Sequence, residues 1–123
     1  MTDEPRRFPR SVFGHGSEPD ARFTLANERT FLAWIRTGLA LVALGVAIEA
    51  FAGQVPELPR RTASTILVLA GAVAPVQAWL GWKRTEMALR LNKPIPSSAG
   101  GLAIVIAVAV SALIVLVGLL AAR

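Results

Sequence analysis

A chain of 123 residues with 54% hydrophobic side chains cannot bury that much apolar surface in a core of its own, which excludes a small water-soluble domain. The formal net charge of +5 is not accompanied by any nucleic-acid-binding motif. We therefore interpret it as favouring attraction of the protein to anionic lipid headgroups. The absence of cysteine excludes disulfides and thiolate metal sites. The sequence therefore predicts an integral membrane protein that binds no nucleic acid.

Residues 1–20 mix proline, glycine, serine and charged residues without helical or strand periodicity. We predict a disordered cytoplasmic tail here, followed by a three-helix transmembrane domain over residues 21–123. His15 is the sole histidine and lies in this tail, so no metal site or acid–base pair can be built around it. The sequence indicates no enzyme active site and no cofactor.

The first predicted helix covers about residues 22–52, with Asp20 or Thr24 as its N-cap. Arg22, Arg29 and Arg36 are spaced seven residues apart and so share one face of this helix. A guanidinium on a membrane-embedded helix is costly unless it reaches headgroups, pairs, or faces protein or water. This face is therefore the first candidate for function.

The opposite face of the same helix has small and polar residues at alternating spacings of four and three. Glycine on such a face lets a second helix approach closely, and an asparagine can donate a hydrogen bond where water is scarce. We predict that this face is the contact seam within the chain, formed by Asn27, Phe31, Trp34, Gly38, Leu41 and Gly45.

Two further helices are predicted from charge-free stretches that are long enough to cross about 30 Å of hydrocarbon. The second covers about residues 63–91 after a short loop, and the third covers about residues 101–122. Pro75 predicts a kink in the second helix. Trp82 predicts an aromatic anchor at the membrane interface. Glu86 lies three residues after Lys83 and four before Arg90, a spacing that predicts a solvent-exposed end of the second helix.

Charge placement predicts the orientation. Ten of the thirteen Lys and Arg residues precede or open the first span or lie between the second and third spans. Because basic residues near span ends stay in the cytoplasm, we predict a cytoplasmic N-terminus and an external C-terminus. Glu28 would then lie at the inner interface, where it could pair with Arg84 or Lys83.

The arginine-bearing face admits three interpretations at this point. In the first, the residues are interfacial and Arg36 reaches lipid headgroups, as basic residues near span ends commonly do. Alternatively, several copies assemble with these faces inward and form a positive ring that binds or conducts an anion. The third interpretation is a site for an anionic lipid headgroup at the inner leaflet.

Two segments, residues 25–37 (LANERTFLAWIRT) and residues 82–90 (WKRTEMALR) followed by Lys93–Pro94–Ile95–Pro96, resemble the YidH-like family, known as domain of unknown function 202. The resemblance implies a three-helix membrane domain that occurs in small bacterial proteins. It also occurs in the vacuolar transporter chaperone complex, where it surrounds a path for polyphosphate. By this analogy Arg29, Arg36 and Arg84 are candidate anion-pore residues. The chain lacks the catalytic and phosphate-sensing domains of that complex, so polyphosphate synthesis is not implied.

Together these inferences predict an all-α, multi-pass protein of the inner (plasma) membrane that forms a homo-oligomer. Its cytoplasmic side would carry an arginine-lined surface or pore for phosphate-like or polyphosphate-like anions, formed by Arg22, Arg29, Arg36 and Arg84. The alternative is a non-transporting scaffold that binds a membrane-protein partner through its basic inner surface and residues 82–96.

Overall fold

The structure is a computed structural model and describes residues 7–97 and 100–123. It contains a one-turn helix α1 (Arg10–Phe13) and three long helices, α2 (Ala21–Phe51), α3 (Glu57–Arg90) and α4 (Gly100–Ala121), with no strand in these residues. Each long helix is long and apolar enough to cross a membrane. The predicted all-helical architecture with three spans is confirmed.

Helix α3 occupies the centre of the arrangement. It packs against α2 on one side and against α4 on another, whereas α2 and α4 make no backbone contact with each other within the described residues. Helix α4 consequently buries only Ser111 and Gly118, and most of its apolar side chains are exposed. The chain is thus an open layer of three helices with clefts between α2 and α4.

The α2–α3 contact is built on small residues. The buried residues of α2 all lie on the predicted seam: Asn27, Gly38, Leu41 and Gly45. A Cβ atom on Gly38 would lie 3.0 Å from the Gly71 carbonyl oxygen, and one on Gly71 would lie 2.7 Å from the Gly38 carbonyl oxygen. Only glycine permits the two backbones to approach this closely.

Two further features hold this seam together. The Ser64 hydroxyl donates a 2.7 Å hydrogen bond to the Gly45 carbonyl oxygen, which replaces a contact with water inside the membrane. The predicted seam residues Phe31 and Trp34 are half-buried at its edge. The seam therefore combines close backbone approach with a buried hydrogen bond.

Helix α3 begins six residues earlier than predicted, at Glu57 instead of residue 63. Pro56 precedes the helix, and Pro59 lies in its first turn, where the missing N–H has no intrahelical acceptor. Glu57 places a negative charge near the positive end of the helix dipole. The prolines that predicted a longer loop are therefore compatible with the helix, and Pro75 lies inside it without ending it.

The other ends of α2 and α3 follow the predicted signals. The Asp20 carboxylate accepts a 2.9 Å hydrogen bond from the Arg22 N–H and caps α2. Helix α3 ends at Arg90, and Asn92, two residues later, has a φ of 54° in the left-handed region. The Lys93 N–H then donates to the Ala88 carbonyl oxygen at 2.8 Å, which satisfies a terminal carbonyl of the helix.

Candidate functional site

The predicted arginine-bearing face of α2, here called the arginine face, consists of Arg22, Arg29 and Arg36. All three residues are exposed, on the side of α2 that does not contact α3. Arg22 forms a 3.1 Å ion pair with Asp20, and both side chains are solvent-accessible. Arg29 and Arg36 form no ion pair and no side-chain hydrogen bond within residues 7–97 and 100–123. Two cations are therefore without an acidic partner among the described residues.

Arg84 lies on α3, apart from the arginine face. It is exposed and lines a cavity of about 260 Å³ between the end of α3 and the beginning of α4. No arginine of α2 lines this cavity. The structure thus does not bring the four predicted anion-binding residues into one cluster within a single chain.

Glu86 is the most buried charged side chain near the end of the bundle that carries Arg84, with 1% of its surface exposed. It accepts a 3.0 Å hydrogen bond from the Thr24 hydroxyl and a 3.1 Å hydrogen bond from the Asn27 side-chain amide. The same amide nitrogen lies 3.1 Å from the Trp82 carbonyl oxygen, to which it also donates. The prediction of a solvent-exposed helix around Glu86 is wrong, because this carboxylate joins α2 to α3.

Glu28 does not make the predicted pair with Arg84 or Lys83. It is exposed, and no ion pair involves it within the described part of the chain. Successive helical residues are rotated by about 100°, so a helix that turns Asn27 toward α3 turns Glu28 away from it. The carboxylate that crosses between the helices is Glu86. Gly71, Ala78 and Trp82 are separated by seven and four positions along α3, and a further step of four reaches Glu86. This spacing in the sequence would have placed Glu86 on the seam.

Arg90 binds the N-terminal segment, residues 7–20, to the end of α3. Its side chain is 6% exposed, and the guanidinium donates to the carbonyl oxygens of Phe13 and His15 and to the Glu18 carboxylate. In return, the Ser17 N–H donates to the Arg90 carbonyl oxygen at 3.1 Å. One buried arginine thus supplies the donors that this irregular segment needs.

Residues 7–20 therefore differ from the predicted disordered tail, of which residues 1–6 lie outside the described residues. Phe13 packs against Trp82 with ring centroids 5.9 Å apart, and Phe8 stacks on Trp79 at 6.3 Å. A side chain on Gly16, whose φ is 63°, would collide with the Arg90 carbonyl oxygen. The segment is held by contacts with residues more than sixty positions away, which its own composition does not reveal.

The opposite end of the bundle has a different charge arrangement. Glu49 lies 3.8 Å from the Arg60 Nε and 3.6 Å from the Arg61 Nε, and Arg61 also pairs with Glu57 at 3.3 Å. No group of three or more potential metal ligands occurs in the described residues. The unpaired cations of α2 and α3 that the structure leaves exposed are Arg29, Arg36 and Arg84.

Comparison with known proteins identifies the family. The family model for the domain of unknown function DUF202 matches residues 22–88, which carry the arginine face and Arg84. They also carry Glu86 and its hydrogen-bonded neighbours, here called the Glu86 cluster: Thr24, Asn27, Trp82 and Glu86. The chain belongs to the YidH-like DUF202 family. The matched region ends before Arg90 and does not include α4.

One relative in this family supports the membrane assignment by its name. The chain is 40% identical over 103 residues to the inner membrane protein YidH of Escherichia coli K12, covering 82% of this chain and 89% of that protein. It is 42% identical over 83 residues to protein Rv2272 of Mycobacterium tuberculosis, covering 64% and 66% of the two chains. No solved structure matches. The protein is an integral, multi-pass inner-membrane protein of the DUF202 family.

Proposed function

We propose that this DUF202 protein assembles as a homo-oligomer whose arginine faces form an anion-binding surface or pore at the cytoplasmic side of the membrane. The observation that supports the proposal is the contrast between Arg29 and Arg36 on the arginine face and the arginines at the opposite end of the bundle. Arg60 and Arg61 each have the Glu49 carboxylate within 4 Å, whereas Arg29 and Arg36 have no acidic partner in the described residues.

The position of Arg36 supports an anionic ligand. Arg36 lies in α2 between apolar residues that belong to a membrane-spanning segment, where an uncompensated guanidinium costs several kcal/mol by order of magnitude. Arg29 lies two helical turns before it, roughly 10 Å along the axis. Two cations at this separation suit either two separate phosphate groups or a chain-like polyanion, because guanidinium binds phosphate oxygens in bidentate fashion.

The open arrangement of the helices supports the oligomer. The backbone of α2 contacts only that of α3 among the long helices, and the seam uses the side opposite the arginine face. Nothing else in the described chain shields Arg36 from lipid. Copies that turn these faces toward a common axis would surround the arginines with protein and water. The same arrangement would concentrate positive electrostatic potential at the cytoplasmic entrance of the pore.

The experiment is anion flux into liposomes that contain the purified full-length protein. We expect uptake of inorganic phosphate or short-chain polyphosphate, and a loss on the order of tenfold in Arg29→Gln and Arg36→Gln, the effect of removing a contact worth about 1.4 kcal/mol. Arg123→Gln removes an equal charge at the other end of the bundle and is the matched control. Liposomes that stay impermeable to each anion, together with unchanged anion binding in both variants, would contradict the proposal.

A separate measurement tests the assembly. Native mass spectrometry of the protein in nanodiscs is expected to show more than one copy, and the monomer alone would rule out a pore. Anion binding without flux would leave an arginine-lined surface in place of a pore.

A second candidate, the non-transporting scaffold, is favoured by one observation: residues 91–97 are all exposed and include Lys93. The rest of the predicted docking segment is less available, since Glu86 and Arg90 are buried by contacts within the chain. A crosslinker at residue 93 that captures one reproducible membrane protein, in a chain that passes no anion, would favour this function.

A further inference from the structure

We propose that one anionic glycerophospholipid binds along α3, with an acyl chain in the groove between α2 and α4 and its phosphate at Arg84 in the neighbouring cavity between α3 and α4. The groove and the cavity together are called the cleft. This site is separate from the arginine face, because no residue of that face lines either cavity that forms the cleft. It therefore does not depend on the oligomer or on anion passage.

The end of the cleft near Arg84 has the chemistry of a phosphate site. Thr85 and Ser97 add hydroxyl groups to the cavity of about 260 Å³ that Arg84 lines. The Arg84 guanidinium is exposed and forms no ion pair within residues 7–97 and 100–123. A guanidinium with neighbouring hydroxyls is a common way to bind a phosphate diester, through charge-assisted hydrogen bonds.

The other end of the cleft is apolar. A groove of about 280 Å³ is lined by Trp34, Ala70, Ala74 and Ile104 among other residues, and its walls expose mainly carbon. The backbones of α2 and α4 do not contact each other, so a groove remains between the two helices and α3 forms its floor. Ala70 and Ala74 of α3 are small and leave space above this floor that an unbranched hydrocarbon chain can fill.

The two cavities adjoin each other at Gln77, whose side chain packs against Gly100. Gln77 and Gly100 line both the polar cavity and the apolar groove. Along α3 the lining changes from Arg84 through Gln77 to Ala74 and Ala70, which is a change from polar to apolar toward the middle of the span. A phospholipid in the adjacent leaflet has its phosphate and its acyl chains in this same order. The positive charge of Arg84 selects an anionic headgroup over a zwitterionic one.

Trp34 provides a spectroscopic reporter because it lines the groove. In a Trp79→Phe/Trp82→Phe background it is the sole tryptophan, and both replacements keep an aromatic ring against Phe8 and Phe13. The full-length protein is reconstituted in phosphatidylcholine vesicles. In one series the vesicles contain increasing fractions of brominated phosphatidylglycerol, and in the other increasing fractions of brominated phosphatidylcholine. Both lipids carry bromine on the acyl chain, which quenches tryptophan fluorescence on contact.

We expect half-maximal quenching of Trp34 at a roughly tenfold lower fraction of brominated phosphatidylglycerol than of brominated phosphatidylcholine. The reason is the charge-assisted contact between the Arg84 guanidinium and the anionic headgroup. Arg84→Gln should abolish this preference. Lys93→Gln removes the same charge from an exposed position outside the cavity and should retain the preference.

A second pair of variants tests the apolar part. Ala33 lies at the edge of the cleft beside Trp34 and Ile104, so Ala33→Phe should obstruct the groove and reduce the preferential quenching. Ala43→Phe adds the same ring at an exposed position of α2 and should leave the quenching unchanged.

Three results would overturn the proposal. Equal quenching by the two brominated lipids at every fraction would mean that Trp34 contacts only bulk lipid. Shielding of Trp34 from both lipids would mean that a second copy of the chain fills the cleft. Loss of the preference on adding inorganic phosphate would assign the Arg84 cavity to a free anion.

Discussion

The hydrogen bonds between Asn27 and α3 should contribute a large part of the stability of the α2–α3 pair, and Asn27→Ala tests this. Asn27 is 7% exposed and donates to the Glu86 carboxylate and to the Trp82 carbonyl oxygen, both at 3.1 Å. Alanine preserves the helix because it has the highest helix propensity. The substitution therefore removes the two contacts without disturbing the backbone.

The expected cost follows from the two acceptors. A hydrogen bond to a charged group contributes about 1.5–3 kcal/mol and one between neutral groups about 0.5–1.5 kcal/mol. Glu86 would keep only the donor from Thr24 while remaining buried. We expect Asn27→Ala to lower the free energy of unfolding by about 2–4 kcal/mol.

The assay is unfolding of the purified protein in mixed micelles by titration with sodium dodecyl sulfate, followed by circular dichroism. Glu28→Ala is the matched control, because this exposed carboxylate is the next residue in the same helix. It should change the free energy of unfolding by no more than about 0.5 kcal/mol. A double-mutant cycle with Glu86→Gln should give a coupling energy of about 0.5–3 kcal/mol, as expected for residues in contact.

The reasoning is refuted if Asn27→Ala and Glu28→Ala destabilise the protein equally, or if the coupling with Glu86 is zero. Either result would mean that Glu86 is not held by Asn27 and that the two helices pack through their glycines alone.

Three other predictions concern the seam, the N-terminal segment and the α2 cap. In the same assay Gly71→Ala should destabilise by about 1–3 kcal/mol because its Cβ would meet α2, whereas Gly81→Ala, with nothing within 4 Å, should stabilise by about 0.5–1 kcal/mol. Arg90→Met should release the N-terminal segment, so that a glutamate-specific protease cleaves after Glu18 on the order of tenfold faster, and Lys93→Met should not. Hydrogen bonds from the side chain and the N–H of Arg22 hold the pKa of the Asp20 carboxylate below 3.8. The capping contribution of Asp20 is present above that value and is lost as the pH falls through the lower, folded-state pKa, which carboxyl NMR can follow.

Each of these expectations has a contradicting result. Equal effects of the two glycine substitutions would mean that the helices are not in close contact at Gly71. Unchanged proteolysis in Arg90→Met would mean that the segment is held by its aromatic rings instead. A pKa for Asp20 at or above 3.8 would show that its carboxylate does not cap α2.

The three spans and the seam of α2 were predictable because they depend on local properties of the chain. Hydropathy over about twenty residues decides whether a helix can cross a membrane, whatever its neighbours are. Asn27, Gly38, Leu41 and Gly45 share one side of any α-helix, so their spacing indicated the buried face. The start of α3 was less predictable, because a proline near a helix N-terminus is compatible with both a loop and a first turn.

The partners of the polar residues depended on the tertiary structure. Glu28 and Glu86 are both acidic residues near the same end of the bundle, and only the rotation of α2 and α3 about their axes decides which one is buried. Asn27 and Glu86 are 59 positions apart, and Arg90 binds carbonyl oxygens more than seventy positions away. The sequence by itself determined the helices and their apolar faces, since these follow from neighbours within a few turns. The Glu86 cluster, the fastening of the N-terminal segment and the cleft beside Arg84 arose only when distant helices packed together, because hydrogen bonds and cavities depend on the relative positions of separate elements.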